Sequence, residues 1–222
     1  YELESVTFEE GSELMTIGDN AFDCCEALNS ITIPASVETI GQYCFGWCSA
    51  LESVTYEDGS ILTAIEGHAF QGCSDLKRLN SETDGEFNIP TQVKNIGDYT
   101  FYGCSQAVNF TMGDIETIGS YAFYNCSLVE YFNSETQYKI EVPSTVTSID
   151  SYAFNEMVLI TEVIVPDSVE SIGVGAFKGC NAIEKITLPF VGQSESATGY
   201  KSVFGYIFGY NEPNSSTTYK MS

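Results

Sequence analysis

Apolar residues recur along this chain in columns instead of on the faces of single long elements. A phenylalanine returns as Phe22, Phe45, Phe70, Phe101, Phe123, Phe154 and Phe177, with Phe204 as a looser eighth member, at spacings of 22 to 31 residues. Five residues before it stands isoleucine, in Ile17, Ile40, Ile65, Ile96, Ile118, Ile149 and Ile172. Three residues after it stand Cys25, Cys48, Cys73, Cys104, Cys126, then Met157, then Cys180. Short alternating runs, Ser5-Val6-Thr7-Phe8 and Ser53-Val54-Thr55-Tyr56 among them, predict half-buried strands, one per unit, that stack into a parallel sheet. The remaining length is too short for a crossover helix of ten or more residues. It predicts a turn with positive φ at the glycine of Val-x-x-Ile-Gly and a short helical turn around Ala-Phe-x-x-Cys. Each unit buries its apolar edge only by stacking on its neighbours, which is the definition of a solenoid.

The consensus Ile-x-Ile-Pro-x-x-Val-x-x-Ile-Gly-x-x-Ala-Phe-x-x-Cys-x-x-Leu resembles the bacterial surface leucine-rich repeat called BspA-like or Treponema-type, over roughly residues 3 to 189. The predicted fold class is therefore a repeat solenoid, a right-handed leucine-rich-repeat coil with a parallel β-sheet on one face and short strands or helical turns on the other. Residues 1–189 form about seven to eight coils and residues 190–222 a divergent C-terminal segment or linker. In that last segment Gly199 and Tyr200 fall at the Ile-Gly positions and Ile207 at the cysteine position, and residues 211–222 read as a linker. The resemblance implies a secreted or surface-attached bacterial protein, extracellular in location, that binds host proteins or other cells without catalysis. A structural spacer in a larger surface protein and a glycan-binding module are the alternatives.

Charge narrows the partners. Eight Lys and Arg against 31 Asp and Glu leave a net charge of −23, which opposes binding to nucleic acid and to anionic lipid. It keeps an exposed solenoid soluble, and it also favours basic partners. No apolar run reaches membrane-spanning length, there is no recognisable leader or anchor motif, and a monomer is expected. The eight cysteines would usually suggest disulfides. Six of them occupy one column, however, and neighbouring strands about 4.8 Å apart hold Cβ atoms farther apart than the roughly 3.8 Å of a disulfide. A reduced, buried ladder is predicted, with Cys44 as a further small core residue and Cys24, off the pattern, as the exposed thiol. A single histidine and no second pair of cysteine ligands argue against zinc. No nucleotide fingerprint, Ser-His pairing or calcium-loop series is present, so no catalytic residue, metal or cofactor is assigned.

Two surface features remain as candidates. Two residues before the phenylalanine stand Tyr43, Tyr99, Tyr121 and Tyr152, with Asn20 and His68 in other units. Such a stripe offers apolar area with polar tips for a protein or for stacking on sugars, or it covers the adjacent coil. Two units carry insertions of about eight residues that open alike, Asn80-Ser81-Glu82-Thr83 and Asn133-Ser134-Glu135-Thr136. They are predicted to emerge from one edge of the array, where binding loops often lie; duplication of a tolerated surface segment explains them equally. Asn80 and Asn133 also fall in an outward ladder with Thr7, Thr32, Thr55, Thr111, Ile164 and Thr187.

Overall fold

A computed structural model describes residues 1–209, and it is a parallel β-solenoid of about seven turns. Each turn contributes a rung to two sheets. The first sheet has seven two-residue strands, from Thr16–Ile17 to Ser171–Ile172, and its isoleucines point inward in register. The second has nine strands, from Ser30–Ile33 to Lys185–Thr187. Its inward row runs Ile31, Val54, Leu79, Phe87, Phe110, Phe132, Ile140, Val163 and Ile186. Between the sheets the phenylalanine column stacks ring on ring, with centroids 5.4–5.7 Å apart from Phe22 to Phe177. The short strands on the second face are as expected; the Ala-Phe-x-x-Cys segment forms successive tight turns and no helix.

Those turns are where local conformation departs from expectation. Around Phe45, the backbone N–H groups of Tyr43, Phe45 and Trp47 donate to Gly67, Ala69 and Gln71 of the next coil. The intervening Cys44, Gly46 and Cys48 N–H groups close turns onto Gly41, Tyr43 and Phe45. Sending alternate N–H groups along the solenoid axis requires left-handed φ at two positions per coil, two before and two after the phenylalanine. The first set is Asn20, Tyr43, His68, Tyr99, Tyr121, Tyr152 and Gly175; the second is Cys24, Trp47, Gly72, Gly103, Asn125, Glu156 and Gly179. Cys24 thus belongs to a column after all, although it is the least buried of the eight thiols. The glycine after the isoleucine, by contrast, does not have positive φ at Gly18, Gly41, Gly97, Gly119 or Gly173. At Gly41, Gly97, Gly119 and Gly173 it is there for close approach: a Cβ at Gly119 would lie 2.6 Å from the Asp98 backbone nitrogen, and one at Gly41 2.7 Å from that of Asp19, whereas Gly18 in the end coil has nothing within 4 Å.

All eight cysteines are free, and seven are buried. The thiols of the ladder reach back one coil: Cys48 Sγ donates to Phe22 O at 3.0 Å, Cys73 to Phe45 O at 3.0 Å, and Cys180 to Phe154 O at 3.1 Å. The column is therefore a weak-donor rail that occupies carbonyls of the phenylalanine column.

The two insertions are not pendant loops between a strand and its proline turn. Each adds a strand, Glu86–Asn88 after Arg78–Leu79 and Lys139–Glu141 after Tyr131–Phe132, so the second sheet has two rungs more than the first. Residues 80–85 and 133–138 carry the chain back to the start of the same sheet without visiting the other. Both do so with one device. Asn80 and Asn133 adopt φ of 52° and 50°, and their Oδ1 atoms accept from Tyr56 N and Met112 N of the preceding coil. Ser81 Oγ and Ser134 Oγ accept from Thr83 N and Thr136 N. These asparagines leave the strand ladder at this point; the register partners of Thr111 and Ile164 are Asn88 and Glu141 instead. Asparagine tolerates left-handed φ whereas a β-branched residue is strained there. Asn133→Val is expected to destabilise by about 1–3 kcal/mol and Asn133→Gly by much less, read from urea midpoints.

The ends differ from the middle. Residues 5–8 form no strand, although Val6 and Phe8 pack against the core; an end turn has a neighbour on one side only. At the other end two 3-10 turns, Gly199–Ser202 and Phe204–Phe208, close the stack. Phe177 N donates to Ile207 O, where other phenylalanines donate to the small residue before the next phenylalanine. Ile207 therefore occupies that small-residue position and not the cysteine position, and Phe208, not Phe204, lies against Phe177 with centroids 6.5 Å apart. The proposed linker at 211–222 lies outside the described residues.

Candidate binding groove

The left-handed turns fix where the tyrosines sit. Held one coil spacing apart, their rings stack into a continuous column: Tyr43–His68 at 4.2 Å, His68–Tyr99 at 4.7 Å, Tyr99–Tyr121 at 4.8 Å and Tyr121–Tyr152 at 4.8 Å, all within 18° of parallel. His68 completes the stack, with Nδ1 donating to Gln71 Oε1 at 2.7 Å. The Lys178 ammonium caps the far end, 5.6 Å from the Tyr152 ring centroid. Each left-handed tyrosine is strained by roughly 1 kcal/mol or more, and stacking offsets that by about 0.5–1.5 kcal/mol per ring pair. The column is thus part of the structure as well as its surface.

A second aromatic row runs beside it, one residue after the phenylalanine. Tyr102 stacks on Tyr124 at 4.6 Å and 11°, and each tilts toward the first row, Tyr102 against Tyr99 and Tyr124 against Tyr121. The two rows help to line an open groove of about 350 Å³, formed by Tyr99, Tyr102, Tyr121, Tyr124, Tyr152, Asn155 and Lys178. Burial, reinforced by Tyr152 and Tyr99, raises the Tyr121 phenol above its ordinary value, so it remains an O–H donor at neutral pH. Asn155 is only 4% exposed, and its Oδ1 has no hydrogen-bond partner.

Of the residues singled out from the sequence, Tyr99, Tyr121 and Tyr152 share this groove, and Tyr43 extends the same stack beyond it. The loop residues Asn80, Glu82, Asn133 and Glu135 do not line it. Glu82 and Glu135 are exposed, while the two asparagines have the backbone role already described. Sequence reasoning missed Tyr102, Tyr124, Asn155 and Lys178. The column Asp23, Gly46, Gln71, Tyr102, Tyr124, Asn155, Lys178 held the signal, tyrosine on two successive coils, but no repeated residue type drew attention to it. Among the described residues no cluster of three His, Cys, Asp or Glu is placed to hold a metal ion, and no helix is long and apolar enough to cross a membrane.

The profile of the BspA type leucine rich repeat region matches in six copies, over residues 1–84, 83–137 and 129–206. The chain belongs to the BspA-type leucine-rich-repeat family. Among solved structures it is similar to the leucine rich repeat protein of Treponema pallidum, 25% identical over 79% of this chain and 74% of that one, with a TM-score of 0.63. A leucine-rich repeat protein from Bacteroides ovatus is 26% identical over 80% of this BspA-type chain, with a TM-score of 0.57; the match covers 48% of the Bacteroides chain. No curated protein matches.

Proposed function

We propose that this BspA-type solenoid is a non-enzymatic binding module at a bacterial surface or secreted from it, and that it contacts a protein partner through the tyrosine groove. The observation that supports this most directly is the groove itself: five tyrosines in two rows, prearranged by the backbone. Tyrosine with little rotamer freedom left gives contact area at low entropic cost. Family membership agrees, since stacked repeats present extended surfaces suited to protein interaction.

Sugar binding by stacking fits less well than the sequence alone suggested. In the long column each interior ring has both faces covered by neighbouring rings, and Lys178 covers the outer face of Tyr152.

The test is binding of the purified chain to host matrix proteins, basic proteins and glycans at about 0.15 M salt, where the Debye length is roughly 8 Å. A protein hit is expected to weaken at least tenfold in Tyr102→Ala/Tyr124→Ala, which strips the outer row and leaves the long stack intact. Glu82→Lys/Glu135→Lys is expected to leave binding unchanged. A hit that the loop variant abolishes and the tyrosine variant does not would move the site to the loops. Silence with every protein would favour a spacer.

A further inference from the structure

We infer that the groove takes an extended polypeptide segment bearing a carboxylate, with that carboxylate on Lys178 and a backbone N–H on Asn155 Oδ1. This deepens the protein-binding reading and rests on it. The first ground is electrostatic. In a chain with 31 acidic and 8 basic residues, no carboxylate lines the groove, and its one charged group is Lys178. The five ion pairs of the described residues engage Lys77, Arg78, Lys94, Lys139 and Lys185; Lys178 is in none of them. The net charge of −23 points to basic partners overall, but the local field of this groove points to an acidic group.

The second ground is Asn155. A buried amide oxygen without a partner is destabilising by about 1–3 kcal/mol, and here the residue that carries it lines the groove. A donor brought by the ligand would relieve it. The third ground is size and shape. From Tyr99 to Lys178 the groove crosses four coils, about 14 Å at about 4.8 Å per step, which accommodates roughly four extended residues at about 3.3 Å each. Phenol hydroxyls along that path suit the carbonyl oxygens of a peptide, while the covered ring faces of Tyr99, Tyr121 and Tyr152 deny a pyranose a stacking surface there.

The experiment pans a random twelve-residue phage-displayed peptide library on the full chain, with counter-selection on the uncoated support. Recovered peptides are synthesised with a fluorescent label and measured by anisotropy. Asp or Glu is expected at one fixed place in them. Changing it to Asn or Gln, or changing Lys178 to Met, is expected to weaken binding at least tenfold, and both together no further. Asn155→Leu is expected to weaken binding without lowering the melting temperature, because it also removes the unpartnered oxygen. Recovered peptides that bind the Lys178→Met and Tyr102→Ala/Tyr124→Ala proteins as well as the parent would overturn the groove assignment and leave the protein-binding reading standing. If no peptide is recovered, the extended-peptide assignment falls; if only polygalacturonate, the carboxylated glycan run alongside, binds in a Lys178-dependent way, both readings fall.

Discussion

Phe123→Ala is expected to lower the stability of the solenoid by about 3–5 kcal/mol, the range for removing a large buried aromatic side chain, and Phe22→Ala by a much smaller amount. Phe123 is fully buried. It stacks on Phe101 and Phe154 at 5.7 Å, and it meets Phe110 and Phe132 edge-on at 4.9 and 5.0 Å. Truncation therefore removes contacts to four rings at once, and the flanking coils are tied to each other by backbone hydrogen bonds that resist collapse into the void. Phe22 is half-buried in the first coil and stacks on Phe45 alone. Because a repeat array is stabilised by nearest-neighbour interfaces, the middle coil has two interfaces to lose and the end coil has one. Urea unfolding of the two variants checks this; equal losses would mean that the column is not what couples the coils.

The columns that make Phe123 central were readable without coordinates because core packing in a solenoid leaves a register in the sequence. Phenylalanine, isoleucine and cysteine recur at fixed offsets, and each recurs because it meets its own copy one coil away. Local backbone conformation leaves a weaker trace. The left-handed position two residues after the phenylalanine holds glycine in only three of seven coils, Gly72, Gly103 and Gly179, with Cys24, Trp47, Asn125 and Glu156 in the others, so a search by a single residue type passes over it. The Ile-Gly glycine misled in the opposite sense: its conservation of type across coils reflects the approach of the coil beneath, which only the packed array reveals. The inserted strands were hidden because one buried side chain in each, Phe87 or Ile140, is too short a pattern to separate from a loop. The groove suffered the same fate, since it needs two adjacent rows and only one of them repeats.

Alkaline pH is expected to unfold the protein over a narrow range, and the buried thiols are the reason. Burial pushes Cys48 and Cys180 up to about 12, and it raises Cys44, Cys73, Cys104 and Cys126 in the same direction. In the unfolded chain a thiol titrates near 8.5. Between the two values the unfolded state has released protons that the folded state retains, so each thiol's contribution is complete below about pH 8 and is lost as pH rises toward the folded value. The loss is about 1.4 kcal/mol per pH unit for each group, or roughly 8 kcal/mol per unit for six. That equals much of the stability of an ordinary domain, about 5–15 kcal/mol. Under reducing conditions the urea midpoint should hold nearly constant from pH 7 to 8 and collapse between about pH 9 and 10.5. Cys73→Ala/Cys104→Ala/Cys126→Ala, less stable at neutral pH through lost packing, should show about half the alkaline slope. Met157, which fills the cysteine position in the sixth coil without an ionisable group, shows that the site accepts a side chain that cannot titrate. If the triple variant kept the full slope, groups other than the ladder would govern the transition.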